Sequence, residues 1–150
     1  MKRLRVAVAG MGFIGFAHVE ALRRIPYVDV GAIADPVGAK EKAERLGVPS
    51  SYTDFVEMMD DCKPDCIHIC TPNNTHMSIA MAAIERGINV ICEKPMARNA
   101  DEAQLMVDAA NKKGLICALN FHNRYYPIPY RMRRLVQEGE LGQVYHVQGG

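Results

Sequence analysis

The chain has 150 residues, with 18 Lys plus Arg against 17 Asp plus Glu and a formal net charge of +1. With 49% hydrophobic and 23% charged residues, it has the composition of a globular chain long enough to fill one core. This excludes a disordered tail, a collagen-like fibre and a membrane span of roughly 18 apolar residues, and the near-neutral charge argues against bulk electrostatic binding to nucleic acid.

Leu4 to Gly10 (LRVAVAG) is an apolar run ending in glycine, the pattern of a buried strand. Phe13, Ile14, Ala17, Ala21, Leu22 and Ile25 then recur at helical spacing. The unit repeats with a β-rich run over Val28 to Ala34 and an alanine-rich helix over Ala39 to Leu46, stopped by Gly47. A short strand near Ser51 and Tyr52 precedes a helix from Thr53 or Asp54 to about Met59. Cys66 to Cys70 reads as a buried strand, Asn74 to Arg86 as a helix behind Pro72 and before Gly87, and Asn89 to Cys92 as another strand. A helix over Ala100 to Lys113 ends at Gly114, and Leu115 to Asn120 is a sixth strand. Strands alternating with helices require βαβ crossovers, so the predicted fold class is α/β, doubly wound, a mostly parallel sheet with helices on both faces.

After Asn120 the chain turns aromatic and basic (FHNRYYPIPYRMRR), with a helix predicted from about Pro127 to Gln137 and a strand from Val144 to Gln148 ending in Gly149 and Gly150. An uncovered strand there exposes its hydrogen-bonding edge, so a partner chain or further sequence is expected to pair with it.

The five cysteines, at 62, 66, 70, 92 and 117, are odd in number and lack a disulfide-framework spacing. No signal-peptide apolar region follows Met1. The expectation is reduced, buried thiols and a cytoplasmic protein.

Gly10-Met11-Gly12-Phe13-Ile14-Gly15 fits G-x-G-x-x-G between a predicted strand and a predicted helix. One glycine permits the tight turn, one lets backbone approach a pyrophosphate, and one lets helix and strand pack closely. The helix then points unpaired N–H groups and its positive end at the phosphates. Asp35 stands 20 residues past Gly15, at the end of the second strand, where a carboxylate can accept both ribose hydroxyls of an adenosine. That reads as NAD, with NADP disfavoured, because Pro36, Val37 and Gly38 supply no arginine for a 2′-phosphate. An S-adenosylmethionine-dependent methyltransferase also pairs a glycine loop with such an acid, so the later strand ends must discriminate.

Ligands of an open parallel sheet lie across the carboxyl ends of its strands. There the chain carries Thr71-Pro72-Asn73-Asn74-Thr75-His76 after the fourth strand and Glu93-Lys94-Pro95 after the fifth. Together with the glycine loop and Asp35, these segments resemble the N-terminal Rossmann domain of the Gfo/Idh/MocA family. That family is named for glucose-fructose oxidoreductase, inositol dehydrogenase and a rhizopine-catabolism protein. Glu93-Lys94-Pro95 matches its E-K-P motif, and Thr71-Pro72-Asn73 with His76 matches its T-P-N-x-x-H segment. Asn123-Arg124-Tyr125-Tyr126-Pro127 and Glu138-Gly139-Glu140-Leu141-Gly142 look like family segments leading into a second domain.

The resemblance implies an NAD-dependent oxidoreductase moving hydride between nicotinamide and a secondary alcohol of a sugar, inositol or related polyol. Lys94 would be the catalytic lysine. Removing hydride from a carbinol leaves its hydroxyl proton needing a base, and an amine beside a cationic ring gives up its own proton more readily. The following proline restricts Lys94 to extended backbone, and the resemblance implies a cis bond between them. Cofactor contacts are expected from Gly10, Gly12, Phe13, Ile14, Gly15, Asp35, Thr71, Pro72, Asn73, His76 and Glu93, the last on the nicotinamide ribose. Arg124 is a candidate for an anionic substrate.

Cys66, His68 and Cys70 share one face of a strand, but i, i+2 and i+4 side chains spread over about 14 Å, too far for one ion, so no metal is expected. The nine methionines read as core filler. Arg124, Arg131, Arg133 and Arg134, interleaved with tyrosines, read as a helix face against a partner or an anion-holding group, with no nucleic acid or membrane partner.

The expected organisation is a dinucleotide-binding domain over 1–122, with 123–150 the connecting helix and first strand of a truncated substrate domain. The family's second domain would supply the substrate pocket and the sheet through which an intact parent forms a homo-oligomer. The chain alone is therefore expected to bind cofactor with little turnover. The alternative is a non-catalytic NAD-binding module for sensing or assembly.

Overall fold

The computed structural model describes residues 3–148. The chain divides into two compact units, with the boundary in sequence between Asn120 and Phe121. The first contains β1 (Leu4–Ala9), α1 (Phe13–Arg23), β2 (Val28–Ala34), α2 (Ala39–Leu46), β3 (Ser50–Tyr52), α3 (Phe55–Cys62), β4 (Cys66–Ile69), α4 (His76–Glu85), β5 (Asn89–Cys92), α5 (Ala100–Lys113) and β6 (Cys117–Leu119). All strand pairings are parallel, in the order β3-β2-β1-β4-β5-β6. The order reverses between β1 and β4, the place where a doubly wound sheet opens a crevice at its carboxyl edge.

Strand periodicity of two sets the layers. In β1, Ala7 and Ala9 face a core shared with Met58 and Met59 of α3, Ile79 and Ile84 of α4, and Met106 of α5. Val6 and Val8 face the other way, into a core with Val19 and Leu22 of α1 and Leu46 of α2. Ala32 and Ala34 against Ile33 repeat the alternation in β2. Apolar on both faces, these strands carry the near-continuous hydrophobic runs expected of a covered parallel sheet.

Element types follow the predicted order, and the differences lie at the ends. The helix predicted from Asn74 begins as a 3-10 turn over Asn73–Thr75, with α4 proper starting at His76. Thr75 offers the chain a local alternative there, its hydroxyl donating to Pro72 O at 2.7 Å. Helix α3 extends to Cys62, past the predicted end near Met59, because Asp60 and Asp61 mask the apolar period, and it stops at Lys63 with φ 41°. Strand β6 is shorter than Leu115 to Asn120.

In the second unit a 3-10 turn over His122–Tyr125 precedes α6 (Pro127–Gln137), which has proline in its first turn. Val144 to Gln148, expected as a strand, forms no ladder among the described residues. A β-rich run becomes a strand only when a neighbouring segment satisfies its N–H and C=O groups. Gly149 and Gly150, its expected end, lie outside the described residues. No helix described is long and apolar enough to cross a membrane.

Helix α1 can rest on the β1 turn only because Gly15 has no side chain: a Cβ there would run into the Gly10 carbonyl oxygen. Since that neighbour is backbone, Gly15→Ala is expected to cost about 2 kcal/mol or more in urea unfolding. An unchanged midpoint would show that α1 has slack to move.

Candidate functional site

The carboxyl edge carries a crevice of about 900 Å³ walled by Gly10, Gly12, Phe13, Ile14, Asp35, Thr71 and Pro72, together with residues from the turn after β3. Most of the predicted cofactor contacts thus converge. Gly15 is buried beneath them as a packing residue, and Asn73 is exposed on the turn beyond Pro72. Thr53, Asp54 and Phe55, at the β3–α3 turn, also form the wall and were missed by the sequence reading. The signal for them was available, since β3 ends at the same edge as β2.

The glycine loop shows why its positions differ. Gly10 has φ 88°, and a Cβ there would lie 2.7 Å from the carbonyl of Cys70 and the nitrogen of Thr71, so loop and β4 meet backbone to backbone. At Gly12 a Cβ would meet nothing within 4 Å, leaving open space on the crevice side. Gly12 is also the N-cap of α1, without a side-chain hydrogen bond and without an acid in the first turn. Helices α3 and α5 instead have their leading N–H groups satisfied by Asp54 and Asn99. The uncapped donors and positive end of α1 are what an anionic group would complete.

Asp35 is held from three sides. Its Oδ2 accepts the Met11 N–H at 2.7 Å and its Oδ1 the Val37 N–H at 2.9 Å, while the Lys42 Nζ stands 3.0 Å from Oδ2. Burial pushes the carboxyl up, but the Val37, Lys42 and Met11 donors outweigh it and hold Asp35 below the usual carboxylate range. Pro36, Val37 and Gly38 after Asp35 carry no cation, but α2 brings Lys42 to it from seven positions on.

Next to the crevice, the E-K-P segment is organised by a buried polar chain. The Glu93 carboxylate lies 3.1 Å from His18 Nε2, accepts from Asn120 Nδ2 at 2.5 Å, and accepts the Lys94 N–H at 3.1 Å. His18 Nδ1 in turn meets His68 Nδ1 at 2.8 Å. Glu93, expected on a nicotinamide ribose, is only 4% exposed and has three protein partners, so in this structure it fastens α1, β5 and β6 together beneath Lys94. His18 and Asn120 were missed as site residues, although Asn120 directly follows β6 and His18 lies one turn into α1. His68, set aside as a metal ligand, is the last member of this chain, and no metal-ligand cluster occurs among the described residues.

His76 departs from its expected cofactor contact. It is fully buried, with Nδ1 2.8 Å from Pro95 O and Nε2 2.9 Å from Thr71 O. Both ring nitrogens are committed to main chain, so the side chain braces the two loops against each other. Lys94 is exposed, does not wall the crevice, and precedes a cis peptide bond to Pro95. Arg124 lies exposed in the second unit.

Burial, then the neighbouring His18, pushes His68 down to about 4. Burial raises Glu93, but Asn120, His18 and the Lys94 N–H overcome it and leave the carboxyl below its ordinary value. Both shifts favour the deprotonated form in the fold, so stability rises with pH across each window. For His68 the contribution is complete above about 6.5 and lost toward about 4, on the order of 3 kcal/mol over the window. His68→Gln, which keeps a partner for His18 without titrating, should flatten urea midpoints between pH 6.5 and 4. An unaltered slope would move that titration elsewhere.

Residues 4–121 match the family model described as "Oxidoreductase family, NAD-binding Rossmann fold". Levoglucosan dehydrogenase of Pseudarthrobacter phenanthrenivorans is 34% identical over 99% of this chain and 41% of its own length. Myo-inositol 2-dehydrogenase of Thermotoga maritima is 30% identical over 93% of this chain and 42% of its own. An NAD binding oxidoreductase from Klebsiella pneumoniae superposes with a TM-score of 0.85 at 35% identity, over 93% of this chain and 40% of that one. Levoglucosan dehydrogenase in complex with NADH and levoglucosan superposes at 0.88 with 33% identity, over 95% and 41%. The chain thus spans about two fifths of the length of these relatives. Motifs, strand order and family model agree, and the chain belongs to the Gfo/Idh/MocA oxidoreductase family through its NAD-binding Rossmann domain.

Proposed function

We propose that the crevice binds NAD, with the diphosphate at the α1 terminus and the adenosine ribose at Asp35, and that the chain is the cofactor half of a dehydrogenase acting on a secondary alcohol. The observation that carries this is the junction of an uncapped helix terminus, an open Gly12 and an ionised Asp35 in one crevice. Gly10, Phe13, Ile14, Thr71 and Pro72 would line the dinucleotide, which supplies hydride chemistry when bound. Lys94 would move the carbinol proton, and the buried Glu93 fixes the backbone from which it projects. The relatives act on levoglucosan and inositol, which supports a sugar-like or polyol substrate.

Residues 1–122 then form the dinucleotide domain, and 123–150 the link to a substrate domain against which Arg124 would act. Low turnover by this chain alone, cytoplasmic location with its five unpaired cysteines reduced, and assembly of the intact parent through the second domain's sheet belong to the same reading.

Gly12→Ala fills only open space, so the fold should survive while the diphosphate loses its approach. NADH fluorescence titration should show affinity reduced about tenfold or more with an unchanged melting temperature. Equal binding would move the diphosphate elsewhere. Lys94→Ala in the intact parent should lower kcat by about a hundredfold or more while NADH still binds. Retained turnover would leave a non-catalytic NAD-binding module as the better account.

A further inference from the structure

The buried polar chain beneath Lys94 has a direction. Glu93 Oε2 accepts the main-chain N–H of Lys94, a group that can only donate, and Oε1 accepts from Asn120 Nδ2. Both carboxylate oxygens thus act as acceptors, as they do in the ionised form that these donors favour. His18 Nε2 stands 3.1 Å from the same Oε1, so this nitrogen carries a hydrogen. A bare ring nitrogen there would set two lone pairs against each other in a buried site. Asn120 Nδ2, 3.1 Å from His18 Nε2, is then a second donor converging on Oε1.

A neutral imidazole with its hydrogen on Nε2 has a lone pair on Nδ1. Which nitrogen holds the hydrogen is set by the bond that the other one makes. For His18 that bond runs to His68 on β4, Nδ1 to Nδ1 at 2.8 Å, with the two rings 81° apart in plane. His68 is itself buried, and its depressed pKa leaves it uncharged at neutral pH with one N–H to place. Placed on Nδ1, that hydrogen completes an unbroken series: His68 Nδ1–H to His18 Nδ1, His18 Nε2–H to Glu93 Oε1, and the Lys94 N–H to Glu93 Oε2.

We propose that His68 is a positioning residue, whose Nδ1–H fixes His18 in the Nε2–H tautomer so that His18 holds the Glu93 carboxylate against the main chain of Lys94. No proton passes along this series to a substrate; it sets where the Lys94 backbone stands. Its consequence for turnover rests on the reading that Lys94 moves the carbinol proton.

NMR of the ring nitrogens in the 150-residue chain, with isotope-labelled histidine at neutral pH and signals assigned by single substitutions, reads the tautomers directly. His18 should show a protonated Nε2 and a bare Nδ1, and His68 the reverse. A hydrogen on His18 Nδ1, averaged nitrogen signals, or an imidazolium at His18 overturns the proposal. His68→Leu removes the donor, whereas His68→Gln keeps an amide N–H. The leucine variant, with circular dichroism unchanged, should average the His18 signals and speed hydrogen exchange at the Lys94 amide about tenfold, and the glutamine variant should restore both. Signals and exchange that His68→Leu leaves unmoved overturn the role of His68. In the intact parent, His68→Leu should lower kcat about tenfold with KM within about twofold, and His68→Gln should recover most of the loss. An unchanged kcat beside averaged His18 signals overturns the consequence for turnover. Retained turnover in Lys94→Ala would instead remove the reading of Lys94 and leave the tautomer result standing.

Discussion

The approach of α1 to the turn after β1 governs what the carboxyl edge can hold. Side chains are missing at two points where backbone must touch backbone: Gly15 over the Gly10 carbonyl, and Gly10 against the Cys70–Thr71 peptide. Those contacts bring a helix terminus, the end of β1 and the end of β4 to one spot, leaving the helix's leading N–H groups without side-chain partners. Buried polar groups without partners are costly, so such a terminus persists only where solvent or a ligand completes it. The same packing that closes the α1 core thereby creates an anion-seeking surface.

The fold was legible because its signals are local and periodic. The alternation of Val6 and Val8 with Ala7 and Ala9, the helical spacing from Phe13, and glycines such as Gly47 and Gly114 just past helices each reflect one element's own geometry. The tail segment after Gln143 shows the limit of that reading. Valine-rich composition reports a preference for extended backbone, whereas a strand is a relation between two segments, and the second partner is not encoded in the first.

The site was legible where a residue's position follows from its place at a strand end, as at Asp35 and Thr71, which the structure brings to one crevice. It was illegible where the role depends on what another element brings. Lys42 acquires its importance from the pitch of α2, His18 and Asn120 from converging on Glu93 across 75 and 27 positions of sequence, and His68 from facing α1. His76 illustrates the converse. Its motif position marks a residue that matters, but only its two carbonyl partners reveal that it serves the loops instead of the ligand.

That imidazole is a rivet through two otherwise separate pieces of chain. Because it spans the carbonyls of Thr71 and Pro95, the segment walling the nucleotide crevice and the segment presenting the amine of Lys94 cannot shift independently without breaking a buried polar contact. The two strand-end loops are in this way joined from inside the molecule, one buried ring serving as their common fastening.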